Sequence, residues 1–209
     1  MTTRPMWTFT DGRTLAIGTM YCIGRNYAAH AAEMGAVVPD APIVFLKPPS
    51  AYAANGATVV LPAFSSNVHH EVELVVVMGP GRTIAGYAVG LDLTARDVQA
   101  KAKERGEPWA TAKSWVGSAP VSPVVPAEQA GQGPFTLSLD VQGIRTQHGS
   151  TAAMERSVAV LIDYLDEVFR LQEGDCIFTG TPEGVAALHA GDTAVAWLDD
   201  LVSLTVHFA

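Results

Sequence analysis

The stretch SNVHHEVELVVVMG, residues 66–79, places two glutamates at the start of an otherwise apolar run. Val72 and the apolar residues at positions 74–78 predict a buried β-strand, because short continuous apolar runs bounded by turn residues are typical of strands inside a sheet. Side chains alternate between the two faces of a strand, so Glu71 and Glu73 point to the same face. Two like charges on a buried face cost free energy unless one is protonated or a cation lies between them. The stretch therefore indicates both a core strand and a candidate cation site.

A third carboxylate is available from a second apolar run, GYAVGLDLTARD at residues 86–97, which contains Asp92. Carboxylate oxygens favour hard cations such as Mg²⁺, Mn²⁺ or Ca²⁺ over Zn²⁺. His69 precedes the first strand and could join the acids. The alternative is an edge strand whose two glutamates face solvent, with Asp92 at the start of a turn. The spacing alone leaves both interpretations open.

The rest of the chain consists mainly of short apolar segments separated by Gly, Pro, Asn and Asp. Apolar residues alternate with polar ones from Phe135 to Val141, which predicts a half-buried strand, and Gln142-Gly143 predicts a tight turn after it. An apolar stripe at helical spacing predicts one amphipathic helix at residues 157–171. We therefore expect an α+β, mainly β fold, a mixed sandwich or barrel-like roll, formed by one domain over residues 1–209 with a short N-terminal extension at 1–18. The other predicted strands lie at residues 57–62, 86–93, 122–126, 192–198 and 201–209.

Composition and charge bound the class of partner. The chain of 209 residues has a formal net charge of −8, which argues against nucleic acid or an anionic membrane as the main partner. It contains neither the apolar core of a signal peptide nor a segment long enough to cross a membrane. We expect a cytoplasmic protein, or one of an organelle matrix if a leader has been removed. Cys22 and Cys176 lie in apolar segments and are expected to be buried free thiols.

A histidine and a glutamate lie three residues apart in an Ala-rich stretch, YAAHAAEMG, at residues 27–35. If this stretch forms a helical turn, the carboxylate of Glu33 can orient the imidazole of His30 and stabilise its charge. Such a pair suits a base that activates water. Gly35 and the prolines after it would make the segment short and mobile, as in a lid. The alternative is a solvated helix face.

Several cationic and polar residues could hold a substrate carboxylate beside a metal. Lys113 lies between Trp109 and Trp115, where an ammonium group would be partly desolvated. A surface lysine whose alkyl stem covers apolar groups is the ordinary alternative. Together the candidates would supply positive charge and hydrogen-bond donors. The other candidates of this kind are Lys47, Arg96 and Gln99.

A possible anion-binding turn follows a short apolar run in FTGTPEGV, residues 178–185. Its backbone amides and the hydroxyl of Thr181 could bind an anion. An ordinary tight turn explains the same Gly, Thr and Pro pattern.

Six segments in register resemble the fumarylacetoacetate hydrolase family, most closely its small single-domain members that act on acylpyruvates and related 2-oxo acids. The segments extend over most of the chain. They are CIGRNYAAHAAEMG (22–35), PIVFLKP (42–48), HHEVELVVVMG (69–79), GYAVGLDLTARDVQ (86–99), PWATAKSW (108–115) and FTGTPEGV (178–185).

The resemblance implies a role for each matching residue. Glu71, Glu73 and Asp92 would be the ligands of Mg²⁺ or Mn²⁺, with Ca²⁺ as a substitute in crystals. His30 and Glu33 would be the water-activating dyad on a lid that orders when substrate binds. The resemblance also implies a mixed β-roll and a homodimer. The remaining matches are catalytic Lys113 and the substrate-binding residues Arg25, Lys47, Arg96, Gln99, Gly180 and Thr181.

One segment departs from the family pattern. The connection from Gly79 to Gly86, GPGRTIAG, is shorter than in close relatives, which usually carry a longer, partly helical insertion there. The change could alter an interface or the rim of the site. All three acids remain in place.

The resemblance predicts a metal-dependent hydrolase that cleaves the carbon–carbon bond of a 3-acylpyruvate, such as the fumarylpyruvate of aromatic catabolism. The products would be pyruvate and a carboxylic acid. Decarboxylation of oxaloacetate, and tautomerisation or isomerisation, remain open because they would pass through the same enolate. A hypothesis of another class is a non-catalytic β domain that is stabilised by a metal and binds a ligand.

Overall fold

The central strand of the fold is the one that the two-glutamate stretch predicts. The structure is a computed structural model that describes residues 4–35 and 37–209. Strand β8 (Val72–Met78) is buried along its whole length. It pairs antiparallel with β9 (Ile84–Leu91) on one side and with β15 (Cys176–Phe178) on the other. The predicted core strand is confirmed.

Both faces of β8 contact apolar layers, which explains its continuous apolar sequence. Leu74 and Val76 belong to one buried cluster, and Val75 and Val77 belong to a second cluster on the opposite face. An edge strand with solvated glutamates is therefore excluded.

Strand β8 lies inside a mixed eight-stranded sheet. The order is β4 (Ile43–Lys47), β3 (Met20–Gly24), β15, β8, β9, β11 (Ala119–Val121) and β5 (Tyr52–Ala54), and β12 (Val125–Pro126) pairs with β9. Most neighbouring strands are antiparallel, but β15 pairs parallel with β3 and β11 pairs parallel with β5.

A five-stranded sheet packs on one face of this sheet. Leu137 and Leu139 from the second sheet are fully buried in the same cluster as Leu74. The two sheets thus form a sandwich around one apolar core. The order of the second sheet is β14 (Ile144–Ser150), β13 (Thr136–Val141), β17 (Thr193–Leu198), β18 (Val202–Phe208) and β6 (Thr58–Val59).

Two small sheets complete the strands of the described residues. A hairpin of β1 (Met6–Thr8) and β2 (Thr14–Ala16) places Trp7 in the second cluster. The other small sheet has the order β10 (Thr94–Ala95), β7 (Val68–His69) and β16 (Ala187–Leu188).

Helices are few and mostly short. The predicted amphipathic helix is confirmed as α5 (Val158–Phe169). Ser157 caps its N-terminus, and the Ser157 hydroxyl accepts a hydrogen bond from the Val160 amide. The others are α1 (Ala28–Glu33), α2 (Arg96–Arg105), α3 (Ala110–Lys113) and α4 (Ala127–Ala130), with 3₁₀ turns at Pro49–Ala51, Pro80–Arg82 and Thr151–Ala153. This architecture confirms the α+β, mainly β prediction.

Two predicted strands are much shorter than expected. Strand β6 and strand β12 each contain two residues, where the sequence predicts five or six. Pro62, Pro123 and Pro126 interrupt these segments, and proline has no amide hydrogen for a β-ladder. Helix α2 was not predicted, because its sequence ARDVQAKAKER has no apolar stripe at helical spacing.

Candidate metal centre and active site

Three buried acids converge where β8 and β9 meet. Glu73 lies on β8, while Glu71 immediately precedes this strand and Asp92 immediately follows β9. Antiparallel pairing brings them together, since Val72 lies opposite Leu91 and the Asp92 amide donates to the Glu71 carbonyl oxygen at 2.9 Å. One ligand oxygen from each acid lies within 4.8 Å of the others. The neighbouring His69 is not part of this group; its Nε2 lies 3.0 Å from Asn67 Oδ1.

Three cationic side chains contact the acids. Lys113 Nζ lies 2.7 Å from Glu71 Oε2 and 2.5 Å from Asp92 Oδ2. Lys47 Nζ lies 2.9 Å from Asp92 Oδ1, and Arg96 forms an ion pair with Glu71. The three cations therefore pair with Glu71 and Asp92, whereas Glu73 contacts none of them.

The surroundings shift the protonation equilibria of this cluster. Burial alone would raise the pKa of Glu71, but Arg96 and Lys113 hold it well below its usual range. Burial, and then the charges of Asp92 and Glu71, raise the pKa of Glu73 well above its ordinary value. Burial alone would lower the pKa of Lys113, but Asp92 and Glu71 raise it, so its ammonium form is favoured. Lys113 is consequently a hydrogen-bond donor and not a base at neutral pH.

The donor set fits a hard divalent cation. It consists of carboxylate oxygens alone, the ligands that Mg²⁺ and Mn²⁺ prefer. Asp92 Oδ1 is buried and receives no well-aligned hydrogen bond, although Lys47 lies close to it. Glu73 pairs with none of the three cations that contact the other two acids. Glu71, Glu73 and Asp92 could therefore hold such an ion.

His30 and Glu33 form the predicted pair on α1. His30 is buried, and its Nδ1 lies 3.2 Å from Glu33 Oε2. The other carboxylate oxygen of Glu33 accepts a hydrogen bond from the Gly184 amide at 3.1 Å. An Nδ1–H bond to a carboxylate leaves Nε2 as the basic nitrogen of the neutral ring. The pair can hold and move a proton.

Asn26 attaches the start of α1 to the rest of the molecule. Its side-chain NH₂ donates to the carbonyl oxygens of Thr179 at 2.9 Å and Arg156 at 3.0 Å. Its side-chain oxygen accepts from the Arg156 amide at 2.9 Å. This buried side chain fixes the entry to the helix beside the end of β15.

The turn after β15 contacts both the acids and α1. The Gly180 amide donates to Glu73 Oε2 at 2.8 Å, so it orients a candidate metal ligand. Gly180 has φ of +99°, and a Cβ atom there would lie 2.8 Å from Asn26 Cβ, so glycine is required for both conformation and space. The Thr181 hydroxyl accepts a hydrogen bond from Gln147 Nε2 at 2.9 Å.

Gln147 is a buried amide that the sequence analysis did not identify. Besides Thr181, its Nε2 donates to the Pro182 carbonyl oxygen at 2.9 Å. Its Oε1 accepts from the Val72 amide at 3.0 Å and lies 2.9 Å from His70 Nδ1. One side chain therefore connects the ligand-bearing strand to the turn that carries Thr181.

Most of the predicted site residues line one cavity of about 40 Å³. This volume admits a few water molecules, so a four-carbon acid requires α1 or the lining side chains to move. Lys47 lies behind Asp92 and Gly180 beside Glu73, and neither they nor Glu33 line the cavity. Lys103, which was not predicted, does line it. The predicted residues in the lining are Arg25, His30, Glu71, Glu73, Asp92, Arg96, Gln99, Lys113 and Thr181.

A larger cavity, of about 550 Å³, lies elsewhere, between α5 and the short connection that precedes β9. Its lining includes Arg82, Ile84 and Asp163, but none of the three clustered acids. The smaller cavity, with its convergent charges, is the better candidate for chemistry.

Comparison with known proteins agrees with this geometry. The model of the fumarylacetoacetate (FAA) hydrolase C-terminal family matches residues 19–209. The chain belongs to the fumarylacetoacetate hydrolase family. It is 45% identical over 195 residues to the mitochondrial oxaloacetate tautomerase of Rattus norvegicus, and the match covers 88% of this chain and 88% of that protein. It is 41% identical to the oxaloacetate tautomerase of Escherichia coli (strain K12), covering 88% of this chain and 89% of that protein.

A family member of known structure has nearly the same fold. The fumarylpyruvate hydrolase of Pseudomonas aeruginosa, in complex with Mn²⁺ and pyruvate, superposes with a TM-score of 0.94 at 36% identity, covering 100% of this chain and 97% of that one. The family resemblance seen in the six segments is confirmed, and the chain is a member of an enzyme family. Within residues 4–35 and 37–209, none of the helices is long and apolar enough to cross a membrane.

Proposed function

We propose that the protein is a divalent-metal-dependent oxaloacetate tautomerase, which interconverts the enol and keto forms of a 2-oxo diacid. The observation that carries the substrate class is the charge balance of the cavity. Three cations pair with Glu71 and Asp92, and Lys103 and Arg25 add positive charge to the cavity lining, so a divalent cation would leave a surplus of positive charge. A dianion such as oxaloacetate would offset that surplus.

The choice of reaction is supported by the relatives. The rat and E. coli proteins, at 45% and 41% identity over nearly the whole chain, are oxaloacetate tautomerases. The sequence alone favours carbon–carbon hydrolysis and keeps tautomerisation as an alternative. These relatives support tautomerisation as the first candidate.

The site residues would share the work of one proton exchange. A cation held by Glu71, Glu73 and Asp92 would act as a Lewis acid toward the 1-carboxylate and the 2-oxo oxygen. His30, oriented by Glu33, would take a proton from C3 of the keto form, and the electron pair of that bond would form the C2–C3 double bond. The ammonium of Lys113 would stabilise the negative charge on the C2 oxygen until this oxygen is protonated.

The reverse direction uses the same groups. The C2 hydroxyl would give its proton to His30, and the imidazolium so formed would deliver it to C3 while the C2–C3 double bond becomes the C2 carbonyl. No water molecule is consumed, so the buried and nearly closed cavity suits this reaction.

Hydrolysis of a 3-acylpyruvate is the second candidate. The Pseudomonas aeruginosa structure that supports it is a fumarylpyruvate hydrolase with Mn²⁺ and pyruvate. Here His30 would take a proton from water, which attacks the acyl carbonyl at C4, and the C3–C4 bond would break to give pyruvate and a carboxylic acid. Decarboxylation of oxaloacetate would need no attacking water and would release CO₂ and pyruvate.

One set of assays separates the three reactions. Enol-oxaloacetate is diluted from dry solvent into buffer with Mg²⁺ or Mn²⁺, or with EDTA, and the decay of the enol absorbance is recorded by stopped flow. Pyruvate release is measured from oxaloacetate, acetylpyruvate and fumarylpyruvate in the same buffers.

We expect metal-dependent acceleration of enol decay with little pyruvate release. Faster pyruvate release from an acylpyruvate than enol decay would contradict the proposal and favour the hydrolase. Release from oxaloacetate alone would favour the decarboxylase. A rise in melting temperature with metal, but no turnover of any compound, would favour a non-catalytic binding module.

We further propose Mg²⁺ as the resident ion, a homodimer, a cytoplasmic location, a single domain over residues 1–209 and a place in aromatic catabolism. The metal dependence and the assembly state are accessible by the same assays and by light scattering.

A further inference from the structure

We propose that Lys103, together with Arg25, binds the second carboxylate of the substrate and thereby selects 2-oxo diacids over 2-oxo monoacids. This inference rests on the proposed 2-oxo acid chemistry. It names a specificity-determining residue, Lys103, that neither the motifs nor the family resemblance assigns.

The cations that line the cavity differ in whether a carboxylate of the protein pairs with them. Arg96 is paired with Glu71, and Lys113 is paired with Glu71 and Asp92. Lys103 and Arg25 line the same cavity, and neither forms an ion pair with any carboxylate of residues 4–35 and 37–209. Two cations are therefore left to meet an anion that enters from solution.

Lys103 and Lys113 lie beside the same pair of aromatic rings. Lys103 lies in the last turns of α2, and its Nζ stands 5.1 Å above the Trp109 ring. Trp109 packs against Phe45 with ring centroids 5.9 Å apart, and Lys113 Nζ lies 4.7 Å from the Phe45 ring. The two ammonium groups thus flank one aromatic pair. Because both lysines also line the same cavity, a molecule whose 2-oxo end lies at Lys113 can place its far end beside Lys103.

The surroundings of Lys103 and Arg25 favour the binding of an anion. Partial burial, and then repulsion by Arg96, Arg25 and Lys113, lower the pKa of Lys103. A carboxylate bound among these groups would relieve the repulsion. Arg25 has φ of +61°, a left-handed conformation that is uncommon for a residue with a side chain. Such conformations cluster at ligand-binding sites, where the surrounding structure maintains them.

The test uses two stable ligands that differ only at the far end. Malate and 2-hydroxybutanoate share the 1-carboxylate and the 2-hydroxyl, but a methyl group in 2-hydroxybutanoate replaces the second carboxylate of malate. Their dissociation constants are measured by calorimetry on the Mn²⁺-loaded protein. The variants are Lys103→Met, Lys103→Arg and Arg25→Met, and the matched control is Lys101→Met on the same helix.

We expect the native protein to bind malate more tightly than 2-hydroxybutanoate. Lys103→Met should weaken malate about tenfold, the size of one charge-assisted hydrogen bond, and leave 2-hydroxybutanoate unchanged. Lys103→Arg should retain most of the preference, Arg25→Met should reduce it, and Lys101→Met should not alter it.

Two results would overturn the inference. One is a native protein without preference for the diacid, and the other is a Lys103→Met variant that keeps the native preference or weakens both ligands equally. Neither measurement requires turnover. If the preference is lost in Lys103→Met but enol-oxaloacetate is not a substrate, the specificity role stands and the tautomerase proposal fails.

Discussion

The two sides of the cavity differ in how firmly they are built. The three acids lie on or beside strands whose faces are both buried; Glu71 and Asp92 contact fixed cations, and Glu73 accepts a hydrogen bond from the Gly180 amide. Helix α1, on the other side, has six residues, of which only His30 and Ala31 are buried, and no side chain caps its N-terminus. The acidic side is therefore preformed, whereas the side that carries the proton-transferring pair is attached by a few hydrogen bonds.

This difference separates two kinds of defect. A change on the acidic side should alter metal binding, activity and stability together, because the same side chains serve all three. A change on α1 should alter the rate and leave the other two nearly unchanged.

The largest effect is expected for Asp92→Asn. The variant loses a candidate ligand charge and leaves Lys113 and Lys47 with less compensation. We expect activity to fall about a thousandfold or more, since Lewis-acid stabilisation is worth several kcal/mol. The free energy of unfolding should fall by about 3 kcal/mol, as for other buried ion pairs that lose one partner. Enol decay, Mn²⁺ titration and urea unfolding measure the three quantities.

The exposed residue Asp200 supplies the control for this variant, as Asp200→Asn. Unchanged Mn²⁺ affinity in Asp92→Asn would contradict the assignment of Asp92 as a ligand.

The next effect is expected for His30→Ala, on the weakly attached side. Loss of a general base typically costs a factor of about 10²–10⁴ in rate, so we expect a loss in that range. Mn²⁺ affinity and urea stability should stay near the native values. His148→Ala, at an exposed site, controls for loss of a histidine.

The His30→Ala variant also separates decarboxylation from the other two candidate reactions. Hydrolysis of an acylpyruvate should collapse with tautomerisation, whereas decarboxylation of oxaloacetate, which needs no nucleophilic water, should survive in part. A parallel loss of metal affinity and rate would abolish the distinction between the two sides.

Much of the acidic side could be predicted from the sequence, because its signals are local. Glu71, Glu73 and Asp92 are carboxylates next to apolar strands, and alternation places the first two on one face. The pair on α1 follows in the same way from its three-residue spacing. The strand pairing that joins Asp92 to the glutamates became visible only in the fold, where Val72 lies opposite Leu91.

The residues that were missed depend on non-local geometry. A two-residue turn at Gln142-Gly143 would place Thr146 opposite Leu139 and point Gln147 outward. A bulge between Leu139 and Asp140 shifts the register, so that Gln147 lies opposite Leu139 and is buried. One extra residue in a strand moves the following side chains to the opposite face, and the local sequence pattern does not predict such a bulge.

Lys103 was missed for a different reason. It lies on α2, whose sequence lacks an apolar stripe, and the helix forms beside the site through Asp97, which accepts hydrogen bonds from Ser65 and Ser66. Lys47, conversely, was predicted to contact substrate and lies behind Asp92. How far Lys103 and Lys47 lie from the cavity depends on the packing of distant segments, which the sequence pattern does not give.

A smaller effect is expected for Gln147→Leu, because Gln147 connects the two sides. The substitution leaves the Val72 amide without its partner and frees the turn that carries Thr181. We expect the free energy of unfolding to fall by about 1–3 kcal/mol, the cost of a buried unsatisfied polar group. Catalytic efficiency should fall about tenfold, as for other groups that position a site, and most of this loss should appear as a higher KM.

Urea unfolding and steady-state kinetics test both parts, and Gln129→Leu on the exposed face of α4 is the control. Gln147→Glu keeps the oxygen that accepts from Val72 but loses the donor to Thr181. If Gln147→Glu restores stability and leaves KM raised, the connection to Thr181 is the functional part. If both quantities recover, the role of Gln147 is structural alone.

The smallest effect is expected for Glu33→Gln. The amide oxygen of glutamine can still accept from the Gly184 amide or from His30 Nδ1, so α1 should keep its place. What disappears is the negative charge that stabilises the imidazolium of His30. We expect a loss of activity of about tenfold or less and a change in stability below about 1 kcal/mol, because the Glu33 side chain is partly exposed and such pairs contribute little. Steady-state kinetics and urea unfolding measure the two quantities, and Glu104→Gln on α2 is the control. A loss of activity as large as that of His30→Ala, together with a lower free energy of unfolding, would mean that Glu33 is needed to hold α1 in place.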